Sequence, residues 1–289
     1  MDRRTPEAGG GLVKISEVRV GVLLIEGTNC EDESVAYFRV LGAQAEKVHL
    51  KQLTGDVPPG MRRKLEDYDV LMIPGGFAAG DYIRAGAIFA ARMRHGLATA
   101  LKEFVRAGKP VFGVCNGFQV LVEAGLLPGL SGMMTEAPEA VLAVNDSGHY
   151  ECRPSLLKQE NRGRCAFVSR IPRGKTLTMI SAHAEGKILF PRGREKAIVR
   201  ELVENDQIVF RFVDDRGRYA GYPWCPSGAT YNIAALCNRE GNVFGIQPHP
   251  ERCFFRYLHP DWTRHDGPDG LGDGALVFQS VLGYVSHRF

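Results

Sequence analysis

The chain has no C-x-x-C pair, no glycine-rich P-loop of the form Gly-x-x-x-x-Gly-Lys-Ser/Thr, no internal repeat and no low-complexity block. Its cysteines, at 30, 115, 152, 165, 225, 237 and 253, are odd in number and unpaired in spacing. That argues against a structural zinc site and a disulfide framework, so no metal site is expected and a reducing cytoplasm suits the chain best. No apolar run approaches the roughly 20 residues that cross a bilayer, and residues 1 to 16 are polar and glycine-rich without the apolar stretch of a signal peptide. Neither export nor embedding is expected. Charge of one sign is also lacking: 36 basic residues face 33 acidic ones, for a net charge of +3. The richest basic stretch, Arg162 to Lys196, is interrupted by acids and apolar residues and reads as a solvated face, so no nucleic-acid partner is implied.

What is present is ordinary globular material. With 289 residues, 44% hydrophobic and 24% charged, the chain can bury a core without cross-links. Residues 1–16 read as a flexible tail and 17–289 as one domain. Apolar runs at Val18 to Ile25, Asp69 to Ile73 and Pro110 to Val114, and an apolar–polar alternation at Ala43 to Leu50, are interleaved with helical spacing at Val35, Phe38 and Leu41, at Ala87 to Ala107 and at Asn116 to Ala124. Such alternation predicts an α/β fold, a mainly parallel open sheet with helices on both faces, whose functional groups belong at the carboxyl ends of strands. From Gly132 to Phe212 the pattern turns β-rich, with short runs at Ala140 to Val144, Cys165 to Val168, Thr176 to Ile180 and Ile208 to Val213, and predicts an antiparallel extension. Asn232 to Leu236 and Val243 to Gln247 read as the last strands, and Leu276 to Val285 as a closing amphipathic helix.

Chemistry concentrates at three of these strand ends. Gly113-Val114-Cys115-Asn116-Gly117-Phe118-Gln119 marks a strand turning sharply into a helix, with Cys115 on the corner and a glycine two residues to either side. A thiol at a helix N-terminus is favoured as thiolate, which makes Cys115 a candidate nucleophile; alone it reads first as a small buried residue, and it needs a base to become more. Gln247-Pro248-His249-Pro250-Glu251 supplies a candidate base and, two residues on, a carboxylate that in an extended segment would lie beside the imidazole and hold it in one tautomer. Pro74-Gly75-Gly76-Phe77 ends another strand in a glycine pair. The N–H groups of Gly76 and of Asn116 are the natural pair to stabilise an oxyanion formed at Cys115. Cys30 has no such glycine corner around it and reads as structural or site-lining. Phe77 to Gly86, carrying Asp81, Tyr82 and Arg84, reads as a shaped loop.

Together these stretches resemble a class I (triad) glutamine amidotransferase domain, a flavodoxin-like fold, over roughly residues 18 to 285. Gly27-Thr28-Asn29-Cys30, the long match from Pro74 to Ile88, and Ala182-His183-Ala184-Glu185-Gly186 narrow the resemblance to glutaminase subunits of de novo purine synthesis. The resemblance implies that Cys115 attacks the glutamine side-chain amide, assisted by His249 and Glu251. It also implies that Gln119 holds the glutamine backbone groups and that His183 and Glu185 line the substrate pocket. No cofactor is implied in this chain. ATP and Mg are expected on a separate large synthetase subunit, joined through a small bridging subunit. Trp224-Cys225 departs from the family pattern around Pro226. Three rivals stand beside this reading: an amidotransferase subunit serving another amination, a stand-alone cysteine hydrolase, and a non-catalytic protein that retains the fold.

Overall fold

The computed structural model describes residues 13–264, 267 and 269–289. Four strands and their helices build the first half: β1 (Arg19–Leu24), α1 (Glu31–Val40), β2 (Gln44–His49), α2 (Leu50–Thr54), β3 (Val70–Ile73), α3 (Ala87–Arg106), β4 (Val111–Val114) and α4 (Asn116–Glu123). Next come β5 (Val141–Ala143), β6 (Glu151–Gln159), β7 (Thr176–His183), β8 (Lys187–Leu189), α5 (Glu195–Glu204), β9 (Ile208–Val213), β10 (Ile233–Cys237), β11 (Val243–Ile246) and α6 (Ala275–Arg288). One nine-stranded sheet runs β2-β1-β3-β4-β11-β10-β9-β6-β7, and β5 and β8 form a separate pair. The pairings from β2 to β11 are parallel and those from β11 onward antiparallel. The predicted α/β sheet with an antiparallel extension is therefore the observed one.

The two-residue period of β4 shows why the central strands are apolar on both sides. Phe112 meets Phe278 of α6 at 5.7 Å on one face, while Gly113 opens the other face to α4, where a Cβ would lie 2.6 Å from Leu121. Phe167 and Phe244 stack at 4.9 Å beside Phe112, and each such ring stabilises the fold by about 1.5–3 kcal/mol relative to exposure.

Three expectations need correction. Cys165 to Val168 is not a strand. Cys165 N–H bonds to the Asn161 side chain and Val168 N–H to Cys165 O, so this apolar run is a buried turn that delivers Phe167 to the core. The stretch read as β-rich also contains α5, whose Ile198 and Leu202 are buried one helical turn apart beneath a charged outer face. Finally, residues 13–16 of the expected tail are packed, because Ser286 donates to Val13 O at 2.6 Å and Gln44 to Ser16 O at 2.8 Å. The rest of that tail lies outside the described residues. No described helix is long and apolar enough to cross a membrane.

Candidate active site

The corner between β4 and α4 is built by close approach. A Cβ on Gly113 would lie 2.6 Å from Gly117 O, and one on Gly117 would overlap the carbonyl oxygen of Ile73 in β3. The two glycines are thus needed for contact, while the unusual backbone falls on Cys115 itself, at φ 50° and ψ −106°. A non-glycine residue at such angles is strained and persists only where its surroundings hold it. Its thiol lines a cavity of about 310 Å³, 3.6 Å from Ala182 O and 3.8 Å from Gln247 Nε2.

His249 arrives from the end of β11, and its N–H donates to Ile180 O at 2.8 Å, tying it to β7. Contrary to the extended geometry expected, Pro250 adopts helical angles and Glu251 opens a 3-10 turn. The turn still brings the Glu251 carboxylate onto His249 Nδ1 in a hydrogen bond. Both side chains are buried. Burial by itself lowers the His249 pKa, but the Glu251 carboxylate, and next the neighbouring Cys115 and Cys30 thiols, raise it, and the net position is well above the ordinary histidine value. With Nδ1 committed, the buried Nε2 has no protein partner among the described residues and is the nitrogen left for the thiol or a substrate. Gly75 is the seat of the ring, since a Cβ there would lie 2.7 Å from Cε1.

This arrangement carries a titration consequence. Glu251→Gln removes the largest upward influence on His249, so its imidazole is expected to lose its proton at a lower pH than in the wild type. Following the ring ¹⁵N shifts through a pH titration checks this, and an unchanged titration would show that Glu251 does not hold the charged form.

Gly76 lines the cavity at φ 142°, where only glycine is at ease, and a Cβ there would press on Asn29 N at 2.6 Å. Asn116 is turned away from the cavity. Its Nδ2 donates to Asp81 Oδ1 at 3.1 Å and to Gln119 Oε1 at 3.0 Å, and its Oδ1 accepts from Ala78 N at 3.3 Å. What Asn116 offers Cys115 is its backbone N–H, at the first helical position where no intrahelical acceptor exists. Gln119 lines the cavity with much of its amide engaged, Nε2 donating to Glu185 O at 2.7 Å.

His183 and Glu185 also stand on the cavity wall. Asn145 Nδ2 donates to the His149 and His183 carbonyls, so its Oδ1 faces Gly186 N–H and His183 Nδ1 at 3.1 Å each. That network assigns the proton to Nδ1 and leaves Nε2 a buried acceptor without a partner. Burial, reinforced by the charge of His249, pushes the His183 pKa down to about 3 and keeps the ring neutral.

Sequence reasoning missed Tyr150 and Arg252, which carry no motif of their own, and did not place Asn29 or Asp81 on the wall, although each lies in a stretch that carries the resemblance. The loop bearing Asp81 was visible from its glycines, but not that Ala79 and Asp81 take positive φ, turning Asp81 inward while Tyr82 stays exposed and Arg84 pairs with Glu123 at 2.6 Å. Cys30 is site-lining, with Arg252 donating to its sulfur at 3.8 Å. Among the described residues one donor atom each of Cys30, His249 and Glu251 lie within 4.8 Å of one another, close enough to gather a metal ion, and two of these residues already pair with each other. Trp224 and Cys225, the departure from the family pattern, are not on the cavity wall.

A cysteine on a strained strand-helix corner, a histidine bonded to a buried carboxylate and a glycine-lined wall form a candidate nucleophile site at the carboxyl ends of β3, β4 and β11. Residues 17–285 match the CobB/CobQ-like glutamine amidotransferase domain, and the chain belongs to that family. Within it the particular kinship is to PurQ. The chain is 50% identical to the phosphoribosylformylglycinamidine synthase subunit PurQ of Archaeoglobus fulgidus over 93% of this chain and 97% of that one. It is 41% identical to PurQ of Picrophilus torridus over 90% and 96%. Among solved structures it is similar to a chain of PurLQS from Thermotoga maritima, with a TM-score of 0.67 and 29% identity over 93% of this chain and 99% of that one.

Proposed function

We infer that this chain is the glutaminase subunit of phosphoribosylformylglycinamidine synthase and delivers ammonia for the ATP-dependent conversion of formylglycinamide ribonucleotide to formylglycinamidine ribonucleotide. The observation that carries this is the convergence of Cys115, His249 and Glu251 at one amino-acid-sized cavity, in a chain half identical to a PurQ subunit along nearly its whole length. The partners are the large synthetase subunit, corresponding to PurL, and the small bridging subunit, corresponding to PurS.

In this reading the Cys115 sulfur attacks the glutamine side-chain carbonyl, and the oxyanion that forms is met by the N–H groups of Gly76 and Asn116. Collapse breaks the carbon–nitrogen bond, and His249, held charged by Glu251, gives its proton to the departing nitrogen, which leaves as ammonia. Water, deprotonated by the now neutral His249, then cleaves the γ-glutamyl thioester to glutamate and returns the thiol. Gln119, His183 and Glu185 act on the substrate rather than on the reacting bond. The half reaction draws on no cofactor in this chain, and ATP and Mg²⁺ belong to the partner synthetase. Seven free cysteines support a reducing, cytoplasmic setting.

A free glutaminase would waste its substrate, so glutamine turnover by the chain alone is expected to fall well below turnover in the assembled complex. In the complex, one glutamate should form per formylglycinamidine ribonucleotide. Equal turnover with and without partners would favour the stand-alone hydrolase.

A further inference from the structure

A second cavity gathers charge that the glutaminase chemistry does not use. It measures about 290 Å³, is lined by Arg162, Arg173, Arg211, Glu160, Asp206 and the rings of two tyrosines, and shares no residue with the wall around Cys115. Its acids already have cations of their own. Both oxygens of Asp206 accept from Arg162 N at 2.9 Å, and Oδ1 also accepts from Arg162 Nε at 3.3 Å. Arg162 Nη2 donates to the Val203 and Glu204 carbonyls. Glu160 Oε1 accepts from the Tyr219 hydroxyl and lies 4.0 Å from Lys158 Nζ. That leaves Arg173 and Arg211, neither of which has an ion-pair partner among the described residues.

Arg211, on β9, is only 6% exposed. Its guanidinium carbon stands 3.4 Å from the centre of the Tyr219 ring and 3.5 Å from that of Tyr231, so the two rings must cover opposite faces of the plane. Nε donates to Tyr231 O at 2.8 Å. With both faces and one edge covered, the group can bond further only in its own plane, through Nη N–H groups that have no protein acceptor among the described residues and are not sealed from solvent. They open on the cavity. Lys158 lies directly opposite Arg211 across the β6–β9 pair and adds like charge. A buried guanidinium with no counter-ion and a cation beside it is unfavourable, and an anion in the cavity reverses this. The backbone is also held against its preference here: Tyr231 and Asn232 take φ of 55° and 56°, angles that non-glycine residues keep only where the surroundings hold them.

The shape of the cations selects the anion. One carboxylate would satisfy the fork of Arg211 and leave Arg173 over, whereas a phosphate turns several oxygens and more than one charge toward both guanidinium groups. We propose that Arg211 and Arg173 form a binding site for a small phosphate anion, inorganic phosphate or a compact phosphate monoester. The site is independent of the glutaminase reading. It gives part of the basic stretch from Arg162 to Lys196, which reads from sequence as a solvated face, a ligand of its own.

Isothermal titration calorimetry of the full chain tests this with inorganic phosphate, glycerol 3-phosphate and acetate, at an ionic strength held constant with sodium chloride. The wild type is expected to bind phosphate or its ester at one site per chain with a Kd of about 1 mM or tighter, and acetate much more weakly. Arg211→Gln and Arg173→Ala should each weaken phosphate binding about tenfold or more. Arg173 is exposed and unpaired among the described residues, so its variant reports on the site even if loss of Arg211 unsettles the tyrosine stack. Tighter binding of the ester identifies an organic phosphate as the ligand, and equal or tighter binding of inorganic phosphate identifies the free anion. Three results overturn the proposal: no saturable binding of either phosphate up to about 10 mM, affinity unchanged in either folded variant, or acetate bound as tightly as phosphate, which would make the cavity a seat for a carboxylate.

Discussion

Gly117→Ala is expected to destabilise the fold by about 3–5 kcal/mol, at the severe end for a single substitution. The added methyl overlaps Ile73 O, a backbone atom fixed in the parallel sheet between β1 and β4. No rotamer can relieve such a clash, so α4 must lift from β3. The same shift would relax Cys115, whose positive φ is maintained by the fit of β4 against α4. Thermal unfolding of Gly117→Ala beside Gly60→Ala separates this from a generic glycine effect, because Gly60 has open space around its Cα and an ordinary φ. The control is expected to stay within about 0.5 kcal/mol of the wild type. Similar melting of the two variants would mean that the corner is not built by contact.

That prediction also shows where the sequence was readable. Gly113 and Gly117 are conspicuous around Cys115, and the strands they punctuate are apolar on both faces, so the corner and its sheet follow from spacing and hydrophobicity. His249 and Glu251 were readable because only two residues separate them, and either an extended or a turned backbone lets them meet. The angle of approach depends on Pro250, which adopts helical angles here.

Features set by distant partners were not readable in the same way. Asp81 faces inward because positive-φ residues on either side of Gly80 turn the loop and because Asn116, 35 positions away, holds its carboxylate. The tautomer of His183 depends on Asn145, 38 positions earlier. Cys165 to Val168 looked like a strand because it is apolar, but its hydrogen bonds go to Asn161 and Gly241 rather than to a neighbouring strand. Helix α5 was hidden by its composition, with only Ile198 and Leu202 buried among Glu, Lys and Arg.

The central claim is that Cys115 opens glutamine for a synthetase elsewhere in the complex, and the Cys115→Ala variant tests it with two nitrogen sources. Removing the sulfur takes away the atom that forms the thioester, and no other described thiol shares both the strained corner and the N–H of Asn116. Loss of a nucleophile costs about 10⁶-fold in well-studied hydrolases. Alanine also leaves φ/ψ and volume nearly as they were, so the complex should assemble. The measurement is ATP-dependent formation of formylglycinamidine ribonucleotide by the assembled complex, with glutamine or with ammonium supplied. The predicted result is product from both sources in the wild type and from ammonium alone in Cys115→Ala. Undiminished glutamine-dependent synthesis in the variant would contradict Cys115 as nucleophile, and a wild-type complex that makes no product from either source would contradict the purine assignment.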